Sequence, residues 1–488
     1  MGSSLYGQSL ALLTDLYQLT MAYGYWKLER HHQEAVFHLT FRKQPFNGGY
    51  SIACGLGPVI EFLERLRFDP SDLSYLATLT GNDGAPLFDP KFLSYLGTLE
   101  FSCDLDAMPE GTVVFPHEPI LRVRGPMMIC QLLETPLLNI VNFQTLIATK
   151  AARVVGAAAG DPVIEFGLRR AQGIDGSLSA SRAAFVGGCA ATSNVLAGKL
   201  FGIPVKGTHA HSWVMSFDTE LESFEAYAAA MPNNCVFLVD TYDTLQGVRH
   251  AAMVGRQLKA AGHKMIGIRL DSGDLAYLSI EARKILDEAG LTDAVILASN
   301  DLDEQIITSL KQQGATIAMW GVGTKLVTAY DQPALGGVYK LGAIRDDAGQ
   351  WKYKLKLSEQ SVKISTPGVQ QVRRFFQDGL IAGDAIYDLQ LGIGDEPTIV
   401  DPGDPIHQRT FTADQRHQDL LIPIFRGGKK VYDSPSLEKM QEHTRQQLAT
   451  LHPTIKRIVN PHLYPVGLEQ RLHDLKNRLI QSAKHLPG

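Results

Sequence analysis

The sequence predicts an α/β protein whose central part is a closed or nearly closed barrel of βα units, set between two segments of α+β texture. The first observation is a series of short apolar runs: Pro162–Phe166, Ala183–Val186, Ile203–Val205, Cys235–Val239, Met265–Ile268, Val295–Ala298 and Thr316–Met319. They recur at roughly 20–35 residues, the spacing of repeated strand–helix units. Second, each run ends in a polar, glycine-containing cluster and is followed by a helix-like stretch. Third, the texture on both sides is alternating rather than βα-periodic. Seven runs, with Gly336–Ile344 as a candidate eighth, favour a barrel; a doubly wound sheet is the alternative.

The elements follow in order. Over Leu10–Leu28, Leu12, Leu16, Leu19 and Tyr23 recur at spacings of three and four, which predicts a helix. Val36–Arg42 alternates like a half-buried strand, and in Gly111–Gly125 Leu121 and Val123 oppose Arg122 and Arg124. After Met265–Ile268 a helix is expected with Leu275, Leu278, Ala282 and Ile285 on one face and Gly290 just past its end. Beyond Ile344, Trp351–Leu357 and Val369–Phe376 read as strands, and Gly383–Arg426 reads as loop. Ser434-Pro435 opens a last helix, with Leu437, Met440, Leu448 and Leu451 apolar and Pro453 as the stop. The C-terminal part is expected to pack back on the N-terminal one, giving segments 1–130, 131–345 and 346–488.

Composition narrows the function. Of 488 residues, 46 are Lys or Arg and 51 Asp or Glu, so the formal charge is 46 − 51 = −5. That balance offers no electrostatic case for a nucleic-acid or membrane-surface partner. Five cysteines, widely spaced and without a C-x-x-C pair, suggest neither a disulfide framework nor a zinc site, and none follows Cys235. The opening MGSSLYGQSL lacks a basic and apolar signal pattern. No apolar stretch is long enough to span a bilayer, and a reducing cytoplasm is the expected location.

Chemistry is expected where strands end, because the loops that follow barrel strands form a shared bowl. Those ends are Glu165–Arg170, Gly207–Ser212, Asp240–Asp243, Arg269–Asp274, Ser299–Asp301 and Gly321–Thr324. One polar end is readily a helix cap; six in succession point to one site for anions and sugar hydroxyls. Gly321, Gly323 and Thr324 form the candidate phosphate nest. Arg169, Arg170 and Arg269 offer guanidinium forks for phosphate or carboxylate, with pairing to Asp271 or Glu165 as the structural alternative. Asp271 and Asp274 suit ribose hydroxyls, or a Mg²⁺ ion held mostly by diphosphate oxygens, but not a metal cage made by protein alone. His209 and His211 stand two apart and point opposite ways if extended. An Asp240 carboxylate on the Nδ1–H of His211 would leave Nε2 free as nucleophile or base. Neither G-x-x-x-x-G-K-[ST] nor G-x-G-x-x-G occurs.

Together, T-D-L-Y-Q-L-T-M (Thr14–Met21), E-F-G-L-R-R-A-Q-G (Glu165–Gly173), G-T-H-A-H-S (Gly207–Ser212), R-L-D-S-G-D-L (Arg269–Leu275) and L-G-G-V-Y-K-L (Leu335–Leu341) resemble nicotinate phosphoribosyltransferase, in order from about residue 10 to 345. The resemblance implies an irregular α/β barrel beside an α/β sandwich built from both termini. It also implies transfer of phosphoribosyl from phosphoribosyl diphosphate to nicotinate, coupled to ATP hydrolysis with Mg²⁺, in a homodimer with shared sites. By motif, His211 would be phosphorylated by ATP and oriented by Asp240. Phe166 and the other subunit's equivalent of Tyr17 would sandwich the pyridine ring, with Thr208 and Arg269 beside it. Arg169, Asp271, Asn300, Gly321, Gly323 and Thr324 would hold phosphoribosyl diphosphate. Two departures stand out: His209 replaces a smaller residue and could enter the pocket, and the C-terminal cysteines of some relatives are absent. A nicotinamide-using enzyme would want a carboxylate acceptor, which the Ala183–Cys189 neighbourhood lacks. A quinolinate-using enzyme would want more basic residues. A non-catalytic sugar-phosphate barrel would leave His211 and Asp240 without a purpose.

Overall fold

The computed structural model describes residues 9–358 and 364–484, so most of the opening MGSSLYGQSL stretch lies outside the described residues. The chain divides into two compact units, one of residues 1–146 and 334–488, the other of residues 147–333. Among the described residues no helix is long and apolar enough to cross a membrane.

The first unit is built on two sheets. A seven-stranded antiparallel sheet runs in the order Trp351–Tyr353, Gly337–Arg345, Glu34–Phe41, Leu121–Pro126, Asp104–Ala107, Ile422–Arg426 and Lys429–Lys430. A six-stranded sheet runs Gln408–Thr410, Thr398–Val400, Val466–Glu469, Leu380–Asp388, Gln370–Gln377 and His417–Asp419. N- and C-terminal strands thus share the first sheet. Leu121 and Val123 are buried as their alternation predicts. Arg122 on the opposite face is also buried, paired with Asp106 at 2.9 Å and donating to the Gln370 carbonyl of the second sheet at 2.6 Å. Arg374 is fully buried against Asp384 at 2.5 Å and donates to the Val113 carbonyl at 2.9 Å.

In the second unit six parallel strands form one sheet: β1 (Val163–Glu165), β2 (Ala191–Thr192), β3 (Val236–Leu238), β4 (Gly267–Leu270), β5 (Val295–Ala298) and β6 (Met319–Val322), in the spatial order β2-β1-β6-β5-β4-β3. Helices follow the strands. Helix Leu275–Glu288 buries Leu275, Ala276, Ser279, Ala282 and Leu286, and Gly290 adopts a φ of +70° two residues past its end, as expected of a C′ glycine.

The free edges of this sheet, β2 and β3, are linked irregularly. Val205 makes a single parallel bridge to Thr192, with Thr192 N–H donating to the Pro204 carbonyl and Lys206 N–H to the Thr192 carbonyl, each at 3.0 Å. The segment then reaches β3 through a side chain: Leu238 N–H donates to His209 Nε2 at 3.2 Å. An imidazole takes the place of a strand carbonyl. His209 does not enter the pocket; it is buried beside Phe224, Tyr227 and Phe237.

Three sequence expectations are corrected. Ala183–Val186 is not a strand but the last turn of helix Ile174–Val186, and the strand lies at Ala191–Thr192. Four apolar residues suit a buried helix turn as well as a strand, and the alanines at 180, 183 and 184 pack without exposure. The absence of a carboxylate there therefore says nothing about substrate choice. Gly336–Ile344 is not an eighth barrel strand; Gly337–Arg345 pairs antiparallel with Glu34–Phe41, which places residues 334–345 in the first unit. Gly383–Arg426 is not loop: five strands run through or into it, and Gly383, Asp384 and Pro423 themselves lie within strands. The sequence reading also lacks the long helix Glu134–Ala158.

The closure predicts a specific weakness. Burial pushes the His209 pKa down to about 4, which Arg269 and His211 reinforce against the opposing hydrogen bond to the Ala210 carbonyl. Replacing His209 with Leu leaves the Leu238 N–H unpaired and is expected to cost about 1–3 kcal/mol in urea unfolding at pH 7. The unfolded chain protonates this histidine below about 6.5, whereas the folded one resists until about 4. Wild type therefore loses its advantage over His209→Leu as pH falls through that window; an advantage that grows on acidification contradicts the assignment.

Candidate active site

All six strands are parallel, so their C-terminal ends lie at one end of the sheet. Glu165, the last residue of β1, is buried and accepts from three donors: the Gly167 N–H, Ser181 Oγ at 2.8 Å and Thr192 Oγ1 at 2.6 Å. These contacts fix the turn that carries Phe166 and Arg169. Phe166 N–H also donates to the Val322 carbonyl of β6 at 2.8 Å, and its ring lies against Gly321. A Cβ on Gly321 would stand 2.6 and 2.7 Å from two ring carbons. Gly321 is thus the floor beneath the ring, whereas Gly323 and Thr324 open the short helix Thr324–Val327.

Contacts continue from loop to loop. The position above Gly321 also faces Ser299 Cβ, and Ser299 Oγ donates to Asp271 Oδ1 at the end of β4. Asp271 Oδ2 stands 3.7 Å from His211 Nε2, while His211 Nδ1 meets Thr241 Oγ1 at 3.1 Å. Asp271 N–H and Ser272 Oγ both donate to Asp240 Oδ2, at 2.9 and 2.6 Å. Arg269 Nη1 donates to Thr208 Oγ1 at 2.6 Å. Neither Arg169 nor Arg269 forms an ion pair with Asp271 or Glu165; Glu165 is spent on hydroxyl and amide donors.

The expected Asp240–His211 contact is not made. No hydrogen bond or ion pair joins them, and Thr241, the next residue, faces the imidazole instead. The physical reason is that Asp240 is committed to the turn after β4, where two donors converge on one oxygen. Its other oxygen, Oδ1, is buried with no partner among the described residues, as is Arg269 Nε. Burial lowers the Arg269 pKa; Asp271 and Asp240 oppose that shift and Arg169 adds to it, which locates Arg169 near the same guanidinium. Asn300 carries a φ of +116°, a conformation that side-chain-bearing residues seldom adopt, at the mouth of β5.

Among the described residues no three His, Cys, Asp or Glu side chains gather as a metal cage. Asp240 Oδ1, buried without a partner, and Asp271 Oδ2 fit a cation that arrives with its own oxygen ligands. Tyr17 lies in the first unit, on helix Leu16–Lys27, about half exposed, with Gln18 Nε2 donating to its hydroxyl at 3.1 Å. Burial, Glu134 and Asp15 raise its pKa. Thr241, Ser272, Ser299, Ser181 and Thr192 were not singled out from the sequence; the first three sit inside or beside the polar strand ends, which was their only signal.

Sequence models of three parts of one family match the chain. The nicotinate phosphoribosyltransferase (NAPRTase) N-terminal domain matches residues 12–142, the NAPRTase family model 162–366 and the C-terminal domain 369–476. The chain is 46% identical to a nicotinate phosphoribosyltransferase of Bacillus subtilis, with 96% of this chain and 97% of the relative covered. It is 35% identical to the human protein of that name, with 96% of each covered. The crystal structure of human nicotinic acid phosphoribosyltransferase superimposes with a TM-score of 0.83 at 32% identity, covering 96% of this chain and 99% of that one.

Proposed function

Because the chain belongs to the nicotinate phosphoribosyltransferase family and has nicotinate phosphoribosyltransferase activity within NAD salvage, we propose that one site at the β1–β6 strand ends performs the whole reaction, with ATP phosphorylating His211. The observation that carries this is the unbroken run of contacts from Phe166 through Gly321, Ser299 and Asp271 to His211 and Thr241.

Nicotinate is flat and anionic. Its ring lies on Phe166, and its carboxylate is met by Arg269 and Thr208, which already share a hydrogen bond. Arg269 Nε is a buried donor with no partner among the described residues, which supports an acceptor arriving with the substrate. Phosphoribosyl diphosphate is held by Arg169, Asn300 and the Gly323–Thr324 turn, with Asp271 at the ribose hydroxyls. Transfer runs through an oxocarbenium-like state as diphosphate departs and the pyridine nitrogen bonds to C1 of the ribose. The residues contribute by gripping the leaving group and keeping the nitrogen in line. Asp240 and Asp271 would hold Mg²⁺ together with diphosphate oxygens, and the ion supplies neutralising charge when bound.

In the ATP half-reaction the γ-phosphoryl passes to His211 Nε2 and ADP leaves. Nδ1 keeps its proton and donates a hydrogen bond to Thr241 Oγ1, and the positive charge the ring gains faces Asp271. Thr241 so takes the orienting role first assigned to Asp240. The phosphoryl group adds about −2 of charge beside the diphosphate site until water removes it. The exposed Leu13, Leu16, Tyr17 and Met21 form an apolar stripe, which supports a homodimer in which Tyr17 completes the partner's pyridine sandwich. Five free, buried cysteines agree with a reducing compartment.

Product analysis with nicotinate and phosphoribosyl diphosphate, with and without ATP, tests the overall scheme; equal rates with nicotinamide would contradict it. Protein exposed to γ-³²P-ATP is expected to carry acid-labile label that His211→Ala loses entirely, and label retained on that variant rules the phosphohistidine out. Thr241→Val is expected to lower labelling about tenfold while leaving the melting temperature within a few degrees. Gly321→Ala displaces the Phe166 ring and should raise the KM for nicotinate roughly tenfold, with the KM for phosphoribosyl diphosphate within about twofold; the reverse pattern would reassign the ring.

A further inference from the structure

The first unit contains a second cleft, of about 650 Å³, that the reaction above does not use. That volume is in the range of small-molecule sites. Its walls come from the hairpin Thr398–Val400 and Gln408–Thr410 and from the segment 457–466, which runs without regular structure up to the strand Val466–Glu469. Ile399, Tyr464, Pro465 and Val466 supply apolar surface. Tyr464 is rigidly set, its ring stacked on Phe115 with centroids 4.0 Å apart and its hydroxyl donating to Asp384 at 2.8 Å.

Around this surface the polar side chains other than Asp401 are cationic or neutral, and of these His407 is paired with Asp404 at 3.1 Å. Arg409 lies over the Phe411 ring, 5.5 Å from its centroid, and reaches only the neutral amide of Gln377, at 3.4 Å. Arg457, Asn460 and His462, three residues within six of the same segment, also line the cleft. None of these three side chains has a hydrogen bond or ion pair among the described residues. The single lining carboxylate, Asp401, turns Oδ1 to the backbone N–H groups of Gly403 and Asp404, at 2.7 and 3.4 Å. In a chain of formal charge −5, two guanidinium groups lacking carboxylate partners beside one cavity mark a place for an anion. The chemistry that uses both features is a flat apolar body joined to phosphate: rings pack on proline, tyrosine and aliphatic surface, and guanidinium forks grip phosphate oxygens.

We propose that this cleft binds a phosphorylated nucleoside, its base against Ile399, Tyr464, Pro465 and Val466 and its phosphates on Arg409 and Arg457. Asn460 and His462 are then placed to meet the base edge or the sugar hydroxyls. The site lies apart in sequence from the strand-end residues that carry the reaction, so it adds a nucleotide to the full chain beyond those the reaction consumes and makes.

Equilibrium dialysis of the full-length protein with ATP and, separately, with nicotinate mononucleotide counts bound equivalents per chain. For at least one of the two, wild type is expected to bind one equivalent more than the double variant Arg409→Gln/Arg457→Gln, or to bind that equivalent at least tenfold more tightly. The variant's turnover at saturating substrates should stay within about twofold of wild type, because neither arginine serves the reaction; this also separates failure of the cleft from failure of the catalytic scheme. Equal counts and affinities in the two proteins for both nucleotides overturn the proposal. So does inorganic phosphate displacing the extra equivalent as effectively as a nucleotide does, since the apolar wall would then contribute nothing.

Discussion

Six strands running in one direction impose the constraint from which the rest follows. A parallel sheet delivers every strand's carboxyl end to the same side, so residues as far apart in the chain as Phe166 and Val322 become neighbours without a dedicated fold for each. What the ends then need is rigidity. Buried Glu165, with three donors, fixes the first turn, and Asp240, with two, fixes the turn after β4. Glu165 and Asp240 thus serve as anchors, and among the described residues neither carboxylate forms an ion pair with Arg169 or Arg269.

The sheet is closed by an improvisation that explains why the barrel is irregular. Val205 and His209 span the gap between β2 and β3 with one backbone bridge and one imidazole. The chain passes from that bridge to Thr208 and His211 within a few residues. The same segment that closes the barrel therefore brings the proposed phosphate acceptor to the strand ends, with the two histidines facing opposite ways. His209 is structural and buried, and His211 is partly open to solvent.

Much of this was legible in the sequence because parallel strands buried on both faces read as apolar runs, and their polar ends read as motifs. Five of the seven runs are or overlap strands of the sheet, and a sixth supplies the Val205 bridge. The failures share a cause. A run of four apolar residues carries no period, so Ala183–Val186 reads as a strand though it is a helix turn, while β2, only two residues long, has no pattern to show. The strands within 383–426 are short, with frequent turn residues, and read as loop. A carboxylate is the commoner partner of a histidine, so the sequence favours Asp240 over Thr241 beside His211; which of two adjacent side chains turns inward is set by the turn geometry, which residue types do not reveal.

The claim that everything else rests on is that one set of strand ends receives both the pyridine and the sugar diphosphate. A crystal structure of the protein with nicotinate mononucleotide and diphosphate bound tests it most directly. The pyridine is expected on the Phe166 ring over Gly321, the carboxylate at Arg269 and Thr208, and His211 beside the diphosphate. A product seated elsewhere, or bound with His211 and Asp271 turned away from it, would contradict the account.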